Sequence, residues 1–299
     1  MLTIVEGPDG AGKSTLADDL AYRWIGVNRH HQGPYHQNVL TETLGAMSRN
    51  LYQQSHVLCD RLHLGERIYG PVFRQHDMLG DDGQRVLERA LLGLGGVVQV
   101  VCYPPYDPHV RDAWLAREQL EMLDTLDQLE WVYRLYKTQG SMLPTTTYDW
   151  TRHTVERLCD DLVTIRSPGN HGPGVGWFEH TSVLLVGERA NGINVNLPGP
   201  PLPFVSTNGC SAWLSEKLTG VDERWLYWVN ALRPDGQPED PSFIERLNPL
   251  GIIGLGKVAQ DWLTSHGFEH EPMDHPQFAK RFHHGEPYPI KEAIDALRR

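Results

Sequence analysis

Apolar and polar positions along the first half of the chain alternate between two periods. Short apolar runs with strand-like composition are separated by segments whose apolar positions recur at helical spacing. The strand-like runs are residues 2–7, 56–61, 97–103 and 145–150, and the helical segments are residues 13–24, 83–94 and 127–138. Continuous apolar strands that alternate with helices are typical of a parallel sheet covered on both faces. The pattern therefore predicts an α/β fold with a parallel sheet and helices on both faces.

A segment rich in glycine and proline interrupts this pattern at residues 166–177, with the sequence RSPGNHGPGVGW. Such composition is typical of a linker between domains. The strand-like pattern then restarts at residues 182–188, 226–232 and 251–256. A chain of 299 residues is long enough for two domains. We therefore predict two successive α/β domains, residues 1–168 and residues 178–299.

Composition limits which partners and which cellular compartment the sequence predicts. The net charge of −11 argues against a tight, nonspecific grip on DNA phosphates, although a local groove lined by arginines remains compatible with it. The sequence has neither an apolar run of about 18 residues nor the start of a signal peptide, which predicts no membrane association. Its four cysteines are far apart, which favours free thiols in a reducing cytoplasm over a zinc site or disulfides.

The first candidate site is the loop of residues 7–14, GPDGAGKS, which follows a strand and precedes a helix. It fits the pattern GxxxxGK[ST], in which backbone N–H groups converge on phosphate oxygens. In this pattern Lys13 reaches the β- and γ-phosphates and Ser14 ligates Mg²⁺, so the cofactors predicted are ATP and Mg²⁺. The predicted nucleotide-binding residues are Gly7, Asp9, Gly10, Ala11, Gly12, Lys13, Ser14 and Thr15.

The loop and one later segment resemble the thymidylate kinase family. The stretch EGPDGAGKST carries Asp9 where that family has an acid that contacts the acceptor nucleoside. Residues 58–74, LCDRLHLGERIYGPVFR, contain the Asp-Arg pair that ends the third strand in thymidylate and deoxynucleoside kinases. The resemblance implies that Asp60 orients or deprotonates the acceptor and that Arg61 balances charge on the transferred phosphoryl group. Arg67, in the same segment, is a candidate substrate contact.

Kinases of this kind also close a lid of arginines over the phosphates. Arg111 and Arg117 are the candidates here, with Arg134 on the next helix, although a solvated helix face would carry the same residues. One segment departs from the family, because residues 28–36, NRHHQGPYH, stand where thymidylate kinases have an Arg-Glu-Pro motif that helps to hold the monophosphate. The departure argues against dTMP as the acceptor. The histidines of this segment lack the spacing of a metal site.

The second half of the chain resembles the uracil-DNA glycosylase superfamily. Residues 184–218 match its opening motif, in which a strand ends in Gly-Glu and a Pro-Phe pair precedes a glycine and a helix. Residues 227–236, 248–263 and 273–278 resemble later segments of the family in the same order. The family binds a base that has been turned out of the duplex. The substrate-binding residues implied are Glu188, Phe204, Asn230 and His275, with Phe204 stacking on the base, Asn230 reading its polar edge and His275 near the scissile bond.

Two departures argue against base cleavage. The first loop reads Glu-Arg-Ala-Asn at residues 188–191 where the family has Glu-Ala-Pro-Gly, and Gln277 replaces a serine after the His-Pro pair. Base or DNA binding would survive these changes. A generic α/β domain without a base site remains the alternative for this half.

A thymidylate-kinase-like domain joined to a uracil-DNA-glycosylase-like domain resembles the phage enzymes that phosphorylate 5-hydroxymethyluracil in DNA. The resemblance implies an ATP-dependent kinase with an alcohol acceptor, acting in the host cytoplasm if a phage encodes it. An alcohol benefits from a carboxylate base, which Asp60 supplies. Two alternatives remain open: a dTMP kinase with an accessory domain, acting on a free pyrimidine deoxynucleotide, and a DNA-binding protein that the P-loop domain regulates.

Overall fold

Two five-stranded sheets organise the part of the chain that the computed structural model describes. The described residues are 1–24, 27–31, 43, 56–93, 96–117, 123–165, 173–178, 181–189, 204, 209–233, 235–283 and 285–299. Most of the predicted linker, His36, Pro203 and residues 190–191 lie outside these ranges. The chain forms two compact units, one of Met1–Gly80 and Gly96–Ser167, the other of Asp81–Gly95 and Pro168–Arg299. No helix among the described residues has the length and apolar character needed to cross a membrane.

The sheet of the first unit is entirely parallel, with strand order β2-β3-β1-β4-β5. Its strands are β1 (Leu2–Glu6), β2 (Asn28–His31), β3 (Val57–Asp60), β4 (Val97–Cys102) and β5 (Thr145–Tyr148). All residues of β1, β3 and β4 are buried, which explains why these strands read as continuous apolar runs. The predicted α/β fold with a parallel sheet is thus confirmed, and β2 is an edge strand that the apolar pattern did not reveal.

The helices of the first half of the chain follow the strands in alternation. They are α1 (Lys13–Arg23), α2 (His63–Arg74), α3 (Gly80–Gly93), α4 (Arg111–Leu115), α5 (Leu126–Thr138) and α6 (Val155–Ile165). A π-helical turn, Tyr106–Val110, leads into α4. Helix α5 begins at a capping box, in which the Thr125 side chain accepts a hydrogen bond from the Gln128 backbone and the Gln128 side chain accepts one from the Thr125 backbone. The predicted helices at 13–24, 83–94 and 127–138 correspond to α1, α3 and α5.

The second unit has a mixed sheet with strand order β10-β9-β7-β8-β6. Its strands are β6 (Val175–Gly176), β7 (Val183–Arg189), β8 (Leu226–Leu232), β9 (Gly251–Leu255) and β10 (Glu271–Met273). Only β6 runs antiparallel to its neighbour among these strands. The helices are α7 (Gly209–Lys217), α8 (Ser242–Leu247), α9 (Lys257–Ser265), α10 (Pro276–Phe282) and α11 (Ile290–Leu297), with a 3₁₀ turn at Glu223–Trp225. The predicted α/β character of this half is therefore observed.

Helix α3 belongs to a different unit in the structure than in the sequence-based division of the chain. Its position before residue 168 assigned it to the first predicted domain, yet residues Asp81–Gly95 group with the second unit. A buried ion pair between Arg89 and Glu223, with Nη2–Oε1 at 2.6 Å, is one of the contacts that hold the helix there. The sequence contains no local signal for this grouping, because the two partners are 134 positions apart.

Candidate functional site

The loop between β1 and α1 has a backbone that only glycine tolerates at its tightest points. Gly7, Gly10 and Gly12 have φ angles of 142°, 83° and 85°, in the region that L side chains rarely adopt. A Cβ atom on Gly7 would lie 2.4 Å from the Cys102 carbonyl oxygen, and one on Gly10 would lie 2.6 Å from that of Val110. Helix α1 begins immediately after Gly12. The strand-loop-helix arrangement is that of a phosphate-binding loop.

Lys13, the first residue of α1, lies buried beneath this loop. Its Nζ donates a hydrogen bond to the Pro8 carbonyl oxygen at 2.7 Å and lies 3.6 Å from Asp9 Oδ1. Burial, together with the nearby positive charge of Arg61, lowers the pKa of Lys13 to about 8. The ammonium group is therefore less strongly protonated than an ordinary lysine, and an anionic ligand would stabilise its charge.

Asp9 joins Lys13 and Arg61 into one cluster. Arg61 Nη2 donates to Asp9 Oδ1 at 2.6 Å, and the Asp9 backbone N–H donates to the Tyr69 hydroxyl oxygen at 3.0 Å. Burial alone would raise the pKa of Asp9, but Lys13 and Arg61 outweigh it and leave that pKa below its ordinary value. Asp9 Oδ2 is buried and has no hydrogen-bond partner among the described residues. Arg61 has φ 69°, which is unusual for a side chain of this size and typical of functional sites.

Asp60, at the end of β3, forms a second cluster with two side chains of β2. Its Oδ2 accepts a hydrogen bond from Arg29 Nη2 at 2.8 Å and lies 3.3 Å from His31 Nδ1. Burial raises the pKa of Asp60, but Arg29 and His31 together bring it below its usual value. Its Oδ1 is buried without a hydrogen-bond partner in the described part of the chain. This oxygen is the part of the carboxylate that Arg29 and His31 leave without a partner, and a substrate would reach it only if the residues that cover it moved.

Several site residues were not predicted from the sequence. Glu6 is fully buried at the end of β1, where Oε1 accepts from the Leu62 backbone N–H at 2.8 Å and Oε2 accepts from the Tyr136 hydroxyl at 3.2 Å. An acid at the end of an apolar strand was a signal that could have identified it. Arg29 gave no such signal, because its role depends on the pairing of β2 with β3.

The predicted lid arginines lie in different environments. Arg111 forms ion pairs with Asp107 and Asp112, its neighbours on the same helical segment, and Arg134 pairs with Glu130. Arg117 is close enough to the loop for its charge to contribute to the lowered pKa of Asp9. Arg67 pairs with Asp77. Arg111 and Arg134 of the predicted lid, and the candidate substrate contact Arg67, thus pair with acidic side chains, and the charge of Arg117 acts on Asp9 of the phosphate loop.

The residues present fit a Mg²⁺ ion held mainly by a nucleotide. Ser14 and Thr15 are exposed in the first turn of α1, where the Ser14 hydroxyl would ligate the ion. No group of three metal-ligating side chains occurs among the residues that the structure describes. Mg²⁺ commonly takes only one or two protein ligands beside phosphates and water, so this sparse set is sufficient.

In the second unit, the four residues predicted to bind a base form two pairs, Phe204 with Asn230 and Glu188 with His275, near the carboxyl ends of the parallel strands. Gly187 and Asn230 are register partners on β7 and β8, and a Cβ on Gly187 would lie 2.3 Å from Phe204 Cζ and 2.8 Å from Asn230 Oδ1. Burial lowers the pKa of His275, while the charge of the nearby Glu188 raises it. The carboxyl edge of a parallel sheet is where open α/β folds bind ligands.

Solved structures of nucleotide-binding proteins match about half of the chain. The YorR protein of Bacillus subtilis, solved with phosphorylated GDP, is 22% identical, and the match covers 55% of this chain and 94% of that one with a TM-score of 0.40. Deoxyadenosine kinase of M. mycoides, solved with dATP, is 14% identical over 55% of this chain and 99% of that one, with a TM-score of 0.36. The same kinase with dCTP matches at 16% identity and a TM-score of 0.37, covering 55% of this chain and 100% of that one. No family model and no curated protein match the sequence.

Proposed function

We propose that the protein is an ATP-dependent kinase that phosphorylates the 5-hydroxymethyl group of 5-hydroxymethyluracil in DNA. The observation that carries the proposal is the placement of Asp60 and the Lys13–Asp9–Arg61 cluster at the ends of the adjacent strands β3 and β1. Phosphoryl transfer requires cations at the phosphates and a group that orients the acceptor, and these residues are of the types required.

Each residue has a defined part in the proposed reaction. Lys13 and the backbone N–H groups of the loop bind the β- and γ-phosphates, and Arg61 offsets charge on the phosphoryl group during transfer. Asp60 Oδ1 accepts a hydrogen bond from the acceptor hydroxyl and takes its proton as the new P–O bond forms and the bond to ADP breaks. Arg29 holds the other oxygen of the same carboxylate at 2.8 Å and so fixes its orientation. Because the pKa of Asp60 is lowered, its carboxylate is a weak base. It would therefore orient the acceptor hydroxyl first and take the proton late in the transfer, when the new P–O bond is largely formed.

The second unit supports a substrate that contains a pyrimidine base. Phe204, Asn230 and His275 provide an aromatic face, an amide and an imidazole, which are groups suited to bind a base by stacking and by hydrogen bonds to its edge. We propose that this unit binds the modified base in DNA and does not cleave it, because Gln277 occupies the place of a serine expected after the His-Pro pair.

A free pyrimidine deoxynucleotide such as dTMP is the second candidate acceptor, and Arg29 is the observation that favours it. A guanidinium beside Asp60 is able to bind a monophosphate in place of the carboxylates of Asp60 and Asp18 that it contacts in the structure. A phosphate acceptor is already an anion and needs no general base.

One experiment separates the candidates. The purified protein is incubated with labelled ATP and Mg²⁺ and with each of three acceptors: dTMP, duplex DNA with thymine, and the same duplex with 5-hydroxymethyluracil. We expect label only in the DNA that contains 5-hydroxymethyluracil, and a loss of at least about 10²-fold in rate for Lys13→Ala, because Lys13 meets charge that develops during transfer. Preferential labelling of dTMP would establish the second candidate instead. Absence of transfer to any acceptor by the wild-type protein would refute the kinase proposal.

A further inference from the structure

Arg89, on helix α3, makes contacts inside the second unit through all three guanidinium nitrogens and through one face of the group. Nε and Nη2 donate hydrogen bonds to the two carboxylate oxygens of Glu223, each at 2.6 Å, and the side chains of both residues are 1% exposed. Nη1 donates to the backbone carbonyl oxygen of Phe204 at 3.0 Å. The guanidinium carbon also lies 4.2 Å from the centroid of the Trp228 ring. One side chain thus contacts three separate segments of the unit.

Two of these contacts converge on Phe204. Its φ angle of 56° is unfavourable for a bulky aromatic residue and persists only when surrounding contacts hold it. Arg89 holds the backbone carbonyl, and Trp228 packs against the Phe204 ring with centroids 4.9 Å apart. Trp228 and Asn230 are two positions apart on β8, so they lie on the same face of that strand. The ring of Phe204 is therefore fixed next to Asn230 and Gly187 by a support whose outer part is Arg89.

We propose that Arg89 is a positioning residue for the recognition of the pyrimidine base by Phe204. The inference rests on the proposed base-binding function of the second unit, and it adds that a helix whose place in the sequence lies between β3 and β4 completes that site. Arg89 does not contact the base in this proposal. It sets the backbone angle and the ring orientation from which Phe204 stacks, and the paired charge of Glu223 keeps the guanidinium oriented.

Arg85 offers a matched comparison on the same helix. It donates to the Ser215 carbonyl oxygen at 3.0 Å and to Thr219 Oγ1 at 3.3 Å, so it also joins α3 to the rest of the second unit. These partners lie at α7 and just beyond it, and they are not part of the Phe204–Trp228 support. A variant of Arg85 therefore reports the effect of weakening the attachment of α3 without loosening Phe204.

The test measures dissociation constants of the full-length protein for two duplexes that differ at one position, which holds 5-hydroxymethyluracil in one duplex and an abasic site in the other. The ratio of the two constants is the base discrimination. We expect Arg89→Met and Phe204→Ala each to reduce this ratio roughly tenfold, since stacking on one aromatic side chain contributes on that scale. The double variant should be no worse than Phe204→Ala alone, because both changes remove the same interaction. Arg85→Met should retain the wild-type ratio.

A purely structural role for Arg89 predicts different results. It would lower the melting temperature and leave the discrimination of the folded protein unchanged, or its effect would multiply with that of Phe204→Ala; either result overturns the proposal. Since Arg89→Met leaves Glu223 as an unpaired buried carboxylate, the pair Arg89→Met/Glu223→Met provides a second variant without that charge. It should show the same loss of discrimination, and full discrimination in this variant would also refute the proposal.

A spectroscopic readout distinguishes failure of this inference from failure of the proposed function. 4-Fluorophenylalanine placed at position 204 gives a ¹⁹F signal that reports the ring environment without any DNA. Arg89→Met should shift or broaden this signal, and Arg85→Met should leave it unchanged. If the wild-type protein shows no base discrimination, the base-binding function is wrong, and a changed ¹⁹F signal would still establish that Arg89 positions Phe204. An unchanged signal in folded Arg89→Met overturns the positioning role whatever the DNA results.

Discussion

At the scale of single residues, Lys13 is a buried cation placed close to a second cation, Arg61. Its protonation is consequently sensitive to pH near 8, whereas an ordinary lysine remains charged to about 10.4. Asp9 offsets part of this repulsion through its contacts with both side chains. Nucleotide phosphates would offset the rest, so binding of ATP and protonation of Lys13 should favour each other.

We therefore predict that kcat/KM for ATP falls as pH rises above about 8, approaching a tenfold decrease per pH unit, because this parameter reports the free enzyme. Lys13→Arg, if active, should lose this alkaline decline, while Lys137→Ala, a change at an exposed lysine of α5, should retain it. A flat wild-type profile to pH 10 would contradict the prediction.

The lowered pKa of Lys13 also affects stability. Between about pH 8 and 10.4, Lys13 is protonated in the unfolded chain and largely neutral in the folded protein. The free energy of unfolding should therefore rise with pH across this window.

Asp60 gives the prediction that separates the two acceptor classes. Asp60→Asn keeps the shape of the side chain and removes its capacity to accept a proton, so turnover of a hydroxyl acceptor should fall roughly 10²- to 10⁴-fold. Turnover of dTMP should change far less. Asp18→Asn is the matched control, because Asp18 is an exposed partner of the same Arg29. Rapid phosphorylation of 5-hydroxymethyluracil DNA by Asp60→Asn would remove Asp60 from the chemistry.

The site residues predicted from the sequence came from two kinds of signal. Lys13, Asp9 and Asp60 belong to contiguous motifs, and Phe204 and Asn230 were predicted because their order along the chain resembled a family. Arg29 and Arg89 were missed because their partners are distant in sequence, 31 positions away for Asp60 and 134 for Glu223. Their roles depend on which strands and helices pack together, and neither composition nor periodicity encodes that.

At the scale of elements, the phosphate loop requires both an unusual backbone angle and space beside the backbone. Gly10→Ala would combine a positive φ with a Cβ 2.6 Å from the Val110 carbonyl oxygen. We predict that it abolishes nucleotide binding, measured by calorimetry with ATP. Gly80→Ala is the control, because Gly80 has φ 66° but no atom within 4 Å of the position that a Cβ would take. That variant should lose about 1–2 kcal/mol of unfolding free energy, the cost of an L side chain at a positive φ, and keep its affinity for ATP. Equal affinity in both variants would contradict the steric argument.

The elements themselves were predictable to the extent that burial follows a simple period. Strands β1, β3 and β4 read directly from the sequence because every residue in them is buried. Strand β2 could not be read from the sequence in this way, because its residues, Asn-Arg-His-His, are polar and it forms the edge of the sheet. Strand β10 is only three residues long and contains a proline, so it also lacked a strand signal.

At the scale of the whole molecule, the net charge of −11 limits how DNA can be bound. Attraction of DNA phosphates to the chain as a whole is weak at this charge, so in the proposed reaction we expect contacts with the base to supply a large part of the affinity. Phe204 with Asn230, and His275 with Glu188, are the residue pairs of the second unit that we propose for these contacts. Substrate choice in the proposed reaction therefore depends on how the second unit positions the residues that contact the base.

The grouping of α3 with the second unit leads to a prediction about dividing the chain. A fragment of residues 1–167 would keep Arg89 and lose Glu223, leaving a cation that is buried in the intact protein without its carboxylate. We expect this fragment to unfold at a lower temperature than the full chain or to aggregate, as judged by calorimetry and size-exclusion chromatography, although it contains the whole phosphate loop. Arg89→Met should not restore the stability of the fragment, because Glu223, Phe204 and Trp228, which Arg89 contacts in the intact protein, all lie outside it. A monomeric fragment 1–167 as stable as the full chain would show that α3 does not depend on the second unit, contrary to the grouping in the structure.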